Sequence, residues 1–600
     1  MIAQHLEIAQ ETTGELILAQ LNEQTEADGT TVLKRIIIAR TSFGSSVSDI
    51  FKIAIETLLY LRNENNGIAG VVWIRNGVYK LESYIEINDT TTSEDSGAAV
   101  PISFRGDSHS SYGSVLITTT DDYSKDALIQ MTNAIDVSFS NLTFKDVYKN
   151  GSETCKVFAT KKCDRLTIRE CYFENIGGEV IGNYESEDKP TTEIVIDNCK
   201  IIGAGKSSFN STTEGTETKN NHNAIDIYSA NDVQILHSEI KQCGSIAITL
   251  SSVGCFKIIG NTIDDNDKNS INGQGHGIYI ANSDSTNFQN NIISNNTITN
   301  NGGNGIEFSY QVSGGLRTIV SNNIIINNGH HSVSGGAKRS GIYLGTNDVI
   351  VTGNNISANG ESGILIRDLP EAQIRNIIIA NNLIADNGGD NTYPADLFRN
   401  AGIGFGLPGN DTTWSSEIKE KTFDHASIKI INNDIQCNEN QKYGIGFGSR
   451  IDPVSYKRYF IRNFEISGNT IYGSSPGIVF ATDDLEGATA DGYINLIQGI
   501  VRNNFGYRTE AAGISKIPKK SFQVTIEHGI ELPTTPLVEG FSITPNSDIL
   551  GKSTFIKANS YWLEISSINE NYFTVCLRNK MRTDFSFSWK YEVPIISNET

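Results

Sequence analysis

The chain has 600 residues, of which 38% are hydrophobic and 20% are charged. Its formal net charge is −21, which argues against the phosphate backbone of a nucleic acid or an anionic membrane as a partner. The sequence contains no apolar run of about 18 residues, so we expect no membrane insertion. The first ten residues lack a basic segment followed by an apolar core, and we therefore expect no secretory signal.

The eight cysteines show no CxxC pair and no zinc-binding spacing. Several of them fall inside apolar strand-like runs, as Cys171 and Cys199 do. We expect these thiols to be small buried side chains. The sequence predicts no metal site and no cofactor.

The first 130 residues predict a terminal segment and a cap. Residues 1–40 are polar apart from two strand-like stretches. A segment of this length is too short to form a sizeable core alone. Residues 46–62 carry apolar side chains at helical spacing, with Ser48 as a candidate N-cap. Strands follow on either side of an Asn76-Gly77 turn. A helix and strands of this kind would cover the first coil of a solenoid, and we place this cap at residues 41–130.

A repeated phrase organises residues 131–510. It consists of Gly-Asn or Asn-Asn, one variable residue, and then Ile or Phe, and its copies are 23 to 51 residues apart. A second phrase, a small residue followed by Ile, any residue and an apolar residue, alternates with the first. Repeats of this length predict a solenoid. The clear copies of the first phrase end at Ile263, Ile298, Ile325, Ile356, Ile384, Ile435, Ile471 and Phe505.

The alternation inside the second phrase predicts strands rather than helices. Ile278 and Ile280 fall on one face of a strand and Tyr279 on the other. The Asn before each strand can adopt the left-handed conformation and can form a hydrogen bond with the Asn one coil away. We therefore predict an all-β chain built on a single-stranded parallel β-helix of roughly twelve coils.

The sequence changes in character after Gly513. Prolines cluster, the Asn repeat stops, and strands with strict alternation follow. We predict a separate sandwich-like β-domain at residues 511–600 that serves trimerisation or the binding of a receptor or carbohydrate. One face of its last strand is predicted to carry Phe585, Phe587, Trp589, Tyr591 and Val593.

The chain resembles a known superfamily. The helix, the Gly-bounded strand, the segment from Asn76 to Leu81 and the long β-helix together resemble the pectate-lyase-like superfamily over residues 45–510. Phage tailspikes, polysaccharide lyases, polygalacturonase-type hydrolases and alginate epimerases share its right-handed parallel β-helix. The C-terminal segment that includes Tyr561 to Ile565 resembles the C-terminal domains of phage tail fibres.

This resemblance implies a phage tailspike that recognises a cell-surface polysaccharide and depolymerises it as an endo-glycosidase. It also implies a homotrimer in the virion, attached to a phage tail or baseplate protein through residues 1–40. Two alternatives stay open. One is a glycan-binding adhesin or tail fibre without turnover, and the other is a secreted bacterial polysaccharide lyase or uronate epimerase.

The outward positions of the second phrase predict a catalytic site. Glu307 could protonate a glycosidic oxygen, with Asp226 or the loop carboxylate Asp265 as its partner, because glycoside hydrolysis uses two carboxyl groups. Asp226 lies three coils from Glu307, about 14 Å at the usual strand spacing. The alternative is that Glu307 is a solvated residue of the ladder. The predicted stripe is Asp226, Ala247, Tyr279, Glu307 and Tyr343.

Two further motifs bear on this site. Gly275-His276-Gly277 resembles the Gly-His-Gly of polygalacturonase-type hydrolases, which implies that His276 is catalytic. Residues 223–226 (Asn-Ala-Ile-Asp) resemble their first catalytic Asn and Asp. The paired aspartates of that family are absent, because residues 245–248 read Ser-Ile-Ala-Ile, and His276 could instead simply begin a coil. The predicted substrate-binding residues are Tyr279, Tyr343, Arg367 and Trp414, the last of which either stacks on a sugar or packs its own loop.

Overall fold

The fold is available as a computed structural model. It describes residues 4–11, 15–25, 31–41, 46–64, 70–88, 101–107, 115–151, 154–183, 191–206, 210–213, 216–219, 222–267, 275–281, 290–309, 317–330, 339–367, 374–388, 401–406, 423–447, 459–473, 477–480, 494–497, 500–506, 511–518, 520–521, 523–528, 541–545, 563–569, 572–577 and 585–591. The chain divides into two units, Met1–Val349 and Ile350–Thr600.

Three parallel sheets form the body of the first unit, and each coil adds one strand to each sheet. The first sheet contains Gly70–Ile74, Ile102–Gly106, Ile135–Ser140, Asp164–Arg169, Thr191–Asp197, Ala230–Leu236, Cys255–Ile259, Asn291–Ser294 and Thr318–Ser321. The second contains Gly77–Leu81, Val115–Thr119, Thr143–Val147, Tyr172–Ile176, Lys200–Ile202, Glu239–Lys241, Thr262–Asp264, Thr297–Thr299 and Ile324–Ile326. The third contains Ile85–Asn88, Ala127–Thr132, Lys156–Lys161, Ile181–Asn183, Ile225–Tyr228, Ile248–Ser251, Ile278–Ala281, Ile306–Phe308 and Ile342–Leu344.

The N-terminal residues join this body. Three antiparallel strands, Gln4–Gln10, Leu16–Thr25 and Thr31–Arg40, come first, and Gln4–Gln10 pairs in parallel with the strand that begins at Gly70. The helix Val47–Glu64 follows and packs on the first strands of the second and third sheets, as the cap prediction requires.

The N-cap of this helix is Ser46, two residues before the predicted Ser48, and the helix itself begins at Val47. The Ser46 hydroxyl accepts a hydrogen bond from the Asp49 N–H at 3.1 Å, and the Asp49 carboxylate accepts one from the Ser46 N–H at 2.9 Å. Ser48 is buried and its hydroxyl accepts hydrogen bonds from the backbone N–H groups of Glu82 and Ser83. The prediction of Ser48 as the N-cap was therefore wrong, because this hydroxyl ties the helix to the loop beneath it.

The first unit also contains a two-stranded hairpin, in which Asn210–Thr213 pairs with Thr216–Lys219.

The second unit repeats the three-strand coil and ends in antiparallel sheets. Its parallel strands are Val349–Thr352 (which begins on the last residue of the first unit), Asn355–Ser357, Ile364–Arg367, Arg375–Ala380, Leu383–Ala385, Ala401–Gly406, Phe423–Ile431, Asp434–Gln436, Tyr443–Phe447, Tyr459–Arg462, Glu465–Ser467, Thr470–Tyr472, Ile478–Phe480, Ile494–Ile497 and Ile500–Arg502. One antiparallel sheet contains Ala511–Ile517, Phe585–Tyr591 and Phe541–Pro545, and the other contains Gln523–Glu527, Tyr572–Leu577 and Leu563–Ile568.

The two antiparallel sheets share one apolar core, which confirms the predicted sandwich-like domain. Phe587 and Trp589 from one sheet pack in the same cluster as Phe573 and Val575 from the other. The Phe573 and Trp589 rings meet edge to face with their centroids 5.0 Å apart. The Trp589 indole N–H donates to the Ser515 hydroxyl at 3.3 Å, so its polar atom is also satisfied.

The Gly-Asn or Asn-Asn pair of the repeat divides two tasks between its residues. The first residue has a positive φ, as Gly260 (71°) and Asn295 (56°) do, which Gly and Asn tolerate better than other residues. The second residue is buried and stacks on its counterpart in the next coil. Asn261 donates to the side-chain oxygen of Asn296 at 3.0 Å. The sequence interpretation gave both tasks to one Asn, and the structure separates them.

These buried amides form continuous ladders. The side-chain N–H₂ of Asn296 donates to the Asn323 side chain at 3.0 Å and to the Ile258 carbonyl at 2.8 Å. Its oxygen accepts from both the backbone and the side chain of Asn261. The amide thus satisfies buried polar groups of the two neighbouring coils. The ladders are Asn261–Asn296–Asn323 and Asn266–Asn301–Asn328 in the first unit, and Asn354–Asn382–Asn433–Asn469–Asn504 and Asn359–Asn387–Gln441 in the second.

Removing one amide from a ladder should destabilise the coil stack. We expect Asn296→Ala to lower the free energy of unfolding by about 3 kcal/mol, because it leaves buried donors and an acceptor unpaired. The exposed Asn440 provides the control, and Asn440→Ala should change stability by less than about 0.5 kcal/mol. Denaturant unfolding followed by circular dichroism checks this, and equal effects of the two substitutions would contradict it.

Candidate active site

The third sheet aligns one outward position from each coil. A buried Ile from each strand stacks on the next, and the residue after each Ile points away from the core. The strand register places Gly182, Asp226, Thr249, Tyr279, Glu307 and Tyr343 in one row. Thr249 occupies the place predicted for Ala247, which is fully buried. The prediction for Ala247 was wrong because the strand of this coil begins at Ile248, two residues later than the phrase indicated.

Two Asn–acid pairs lie in this row, three coils apart. Asn223 donates to Asp226 Oδ2 at 3.1 Å, and Asn304 donates to Glu307 Oε2 at 2.6 Å. Each Asn precedes its acid by three residues and lies two residues before the buried Ile of the strand. The fold therefore builds the same local pair twice, about 14 Å apart at the usual strand spacing.

The pair at Asp226 belongs to a cluster with a second carboxylate. Glu179 precedes the strand Ile181–Asn183 in the adjacent coil and is only 6% exposed. Its Oε2 lies 3.4 Å from Lys156 Nζ, and its Oε1 lies 3.3 Å from His222 Nδ1. We call Lys156, Glu179, His222, Asn223 and Asp226 the acidic cluster.

The two carboxyl groups of the acidic cluster differ in their affinity for protons. Burial acts to raise the pKa of Glu179, but the hydrogen bond from His222 and the charge of Lys156 outweigh it, and the pKa is lowered. Burial raises the pKa of Asp226 above its ordinary value, and the nearby charge of Glu179 raises it further against the hydrogen bond from Asn223. The geometry thus holds Glu179 ionised while Asp226 keeps a proton to higher pH.

Glu307 belongs to a different set of contacts, which we call the histidine cluster. His276 Nδ1 accepts a hydrogen bond from the Asn304 backbone N–H at 2.9 Å, so the ring proton is on Nε2. His276 Nε2 lies 3.2 Å from Glu307 Oε2, which also accepts from the Asn304 side chain. The His276 and Tyr279 rings stack with their centroids 5.7 Å apart.

The structure brings some of the predicted residues together and separates others. Tyr279, Glu307 and Tyr343 are neighbours on adjacent strands, and His276 contacts Glu307 directly. Asp265 follows the strand Thr262–Asp264 of the second sheet, where it accepts from Gln242 at 3.5 Å, and it is not brought to Glu307. Arg367 ends the strand Ile364–Arg367 of the second unit, and its side chain is not among those that the structure describes. Trp414 lies outside the described residues altogether.

Within the described ranges, no group of three His, Cys, Asp or Glu side chains is placed to hold a metal ion. Among the same residues, no helix is both long and apolar enough to cross a membrane. The thiols of Cys155, Cys163, Cys171, Cys199 and Cys243 are buried and unpaired with one another, as the sequence analysis expected of its buried cysteines.

The sequence analysis missed Lys156, Glu179 and His222. The coil of Glu179 lacks the small residue before its Ile, so it did not match the second phrase. A signal was nevertheless present, because Ile181 and Ile225 are in register and Glu179 holds the position in its coil that Asn223 holds in the next. Lys156 and His222 carried no pattern of their own.

The fold defines the class to which the chain belongs: it is a member of the right-handed β-helix family, whose pattern matches residues 205–337 and 267–505. No curated protein sequence matches the chain.

Solved structures of similar fold come from two kinds of protein. The tailspike gp61 of Pseudomonas phage phi297 is 11% identical, with a TM-score of 0.46 over 91% of this chain and 92% of that chain. The Gp54 tailspike of Acinetobacter baumannii bacteriophage AP22, solved with a capsular saccharide, is 8% identical, with a TM-score of 0.41 over 92% and 94%. The Azotobacter vinelandii mannuronan C-5 epimerase AlgE4 A-module is 16% identical, with a TM-score of 0.40 over 73% and 96%.

The histidine cluster predicts a specific pH dependence of stability. Burial lowers the pKa of His276 below its ordinary 6.5, with Glu307 opposing and Arg339 adding to this shift. Below about pH 6.5, His276 binds a proton in the unfolded chain but stays neutral in the folded chain until the pH reaches its lowered pKa. Stability therefore falls as the pH decreases. We expect His276→Gln to reduce the loss of melting temperature between about pH 7.5 and pH 5.5, as measured by calorimetry. Parallel pH curves for the two proteins would contradict this account of the cluster.

Proposed function

We propose that the chain is a tailspike-type receptor-binding protein that binds a cell-surface polysaccharide along its third sheet and hydrolyses it. The observation that carries this proposal is the acidic cluster, in which adjacent coils supply two carboxyl groups, Asp226 with a raised pKa and Glu179 with a lowered one. Hydrolysis of a glycosidic bond requires such a pair, since one group protonates the leaving oxygen and the other acts at the anomeric carbon.

In this proposal Asp226 is the general acid. Its pKa is raised by burial, and its row faces outward, where a glycan lying across the strands would place a glycosidic oxygen. Glu179 is the ionised partner, and its negative charge stabilises the positive charge that develops on the sugar ring. His222 and Lys156 hold Glu179 in that state.

A comparison of the two Asn–acid pairs decides between Asp226 and Glu307 as the acid. Both receive one hydrogen bond from an Asn. Burial and the neighbouring charge of Glu179 raise the pKa of Asp226, whereas Glu307 Oε2 lies 3.2 Å from His276 Nε2. The geometry therefore supports Asp226, rather than the sequence-predicted Glu307, as the proton donor.

Glu307 then serves to bind the sugar. Its Oε1 has no hydrogen bond among the described residues, and its side chain is 17% exposed. An ionised carboxylate accepts hydrogen bonds from two sugar hydroxyl groups, and the flanking Tyr279 and Tyr343 offer ring faces and hydroxyls. One glycan of a few sugar residues could reach both clusters, which are about 14 Å apart.

The acidic cluster favours hydrolysis over elimination or epimerisation. Both of the latter reactions remove a proton beside a uronate carboxylate, whose charge must first be neutralised. The ammonium of Lys156 is already engaged by Glu179. A pair of carboxyl groups whose pKa values are shifted in opposite directions is more typical of a catalytic site than of a site that only binds.

Assembly and attachment are part of the same proposal. A tailspike of this kind would be a homotrimer joined to a phage tail through residues 1–40. Light scattering should then give a mass near three times 65.5 kDa. A monomer would remove the trimeric tailspike from the proposal while leaving the chemistry of the acidic cluster to be tested separately.

Substitutions in the two clusters should affect different kinetic constants. We expect Asp226→Asn to lower kcat at least about 100-fold, because the leaving oxygen loses its proton donor. Glu307→Gln should raise KM and leave kcat nearly unchanged, because it removes binding that the ground state and the transition state share. The measurement is the rate of new reducing ends from a capsular polysaccharide, chosen by screening strains for one that the protein shortens.

The matched comparison is Glu307→Gln against Asp226→Asn, since each replaces one acid of an Asn–acid pair with its amide. Loss of kcat in Glu307→Gln with full retention in Asp226→Asn would return the role of acid to Glu307. Products with a new ultraviolet-absorbing double bond would show that the protein cleaves by elimination rather than by hydrolysis.

A further inference from the structure

The backbone conformation at position 182 does not require a glycine. Gly182 lies inside the strand Ile181–Asn183 and does not have a positive φ, so an L-residue could adopt its conformation. In the third sheet it lies between Ala159 and Asp226, which are its partners on the two neighbouring strands. Its small size must therefore be explained by what surrounds it.

The space beside Gly182 holds the side chain of Lys156. A Cβ atom at Gly182 would lie 2.7 Å from Lys156 Nζ, closer than such atoms approach, and 3.1 Å from Lys156 Cδ, which is a tight contact. From this place the ammonium reaches Glu179 Oε2 at 3.4 Å. The missing side chain and the ion pair are thus parts of one arrangement next to Asp226.

We propose that Gly182 is a positioning residue of the active site: the gap left by its absent side chain seats the Lys156 ammonium against Glu179, where it serves as the counter-ion of that carboxylate. The catalytic meaning of this arrangement rests on the proposed function. The arrangement itself, a glycine that seats an internal counter-ion, can be tested without any substrate.

The charges that face the two carboxyl groups determine the sign of the effect. Glu179 faces Lys156 and His222, and Asp226 faces Glu179, Lys156 and His222, with the Asn223 amide as its hydrogen-bond donor. The positive charge of Lys156 lowers the pKa of both acids. Moving the ammonium away therefore raises both values, so both limbs of a bell-shaped pH–activity profile move toward alkaline pH.

The test uses Gly182→Ala in the full-length chain. The atoms that an alanine would meet are the end of a flexible side chain, so the fold can accept the change by displacing Lys156. Gly254→Ala is the matched control, because a Cβ atom there meets its neighbours no closer than 3.4 Å. Lys156→Met removes the ammonium altogether and shows the full effect.

The readout is the titration of Glu179, followed by carbon-13 NMR of protein with labelled glutamate and assigned with Glu179→Gln. We expect the midpoint for Glu179 to rise by roughly one pH unit in Lys156→Met, and to move in the same direction in Gly182→Ala. It should not move in Gly254→Ala. Where hydrolysis is measurable, the acid limb of the pH profile of kcat should shift in Lys156→Met and Gly182→Ala and should not shift in Gly254→Ala.

An unchanged Glu179 titration in both Gly182→Ala and Lys156→Met would overturn the proposal. A shift in Lys156→Met alone would also overturn the role of Gly182, since the ammonium would then hold its place without the gap. If the titration shifts as expected but no polysaccharide is cleaved, the proposed function fails and the counter-ion arrangement stands. If cleavage occurs and Gly182→Ala changes only KM, Lys156 binds substrate rather than tuning Glu179.

Discussion

Hydrogen bonding between parallel strands of successive coils is the constraint on which the rest of the structure depends. It places each residue directly beside its counterpart in the next coil, so a side chain's neighbours are set by register rather than by sequence distance. Asp226 and Gly182 are 44 positions apart in the chain, yet they are partners on adjacent strands. The buried amide ladders reinforce this register, because each Asn satisfies polar groups of the coils on both sides.

The same constraint explains how one local design is placed in two different surroundings. An Asn three residues before an acid gives the same hydrogen-bonded pair at Asp226 and at Glu307. What differs is the residue supplied by the neighbouring coil, which is the carboxylate Glu179 in one case and the imidazole of His276 in the other. A repeat protein can thus change the surroundings of an acid without altering its own coil. This is the physical basis for assigning proton transfer to one pair and sugar binding to the other.

The sequence predicted the fold in detail because its signals are local and repeated. Alternation placed Ile278 and Ile280 in the core, and the recurring second phrase aligned Tyr279, Glu307 and Tyr343, all as observed. The candidate site was harder to predict, because its contacts join coils of different sequence. Glu179 was missed since its coil departs from the repeated phrase, and Ala247 was misplaced since its strand begins at Ile248. Asp265 follows a strand of the second sheet, whereas Glu307 lies on a strand of the third. The hydrogen bond that fixes the His276 tautomer comes from a backbone group, which no side-chain pattern records.

The most direct test of the account is a crystal structure of the Asp226→Asn variant with an oligosaccharide of the polysaccharide that the protein shortens. We predict a continuous glycan along the third sheet, with a glycosidic oxygen within hydrogen-bonding distance of the amide at position 226 and a sugar ring held by Glu307 between Tyr279 and Tyr343. A glycan whose glycosidic oxygen lies against Glu307, with no sugar near position 226 or Glu179, would contradict the assignment of the acidic cluster as the site of hydrolysis.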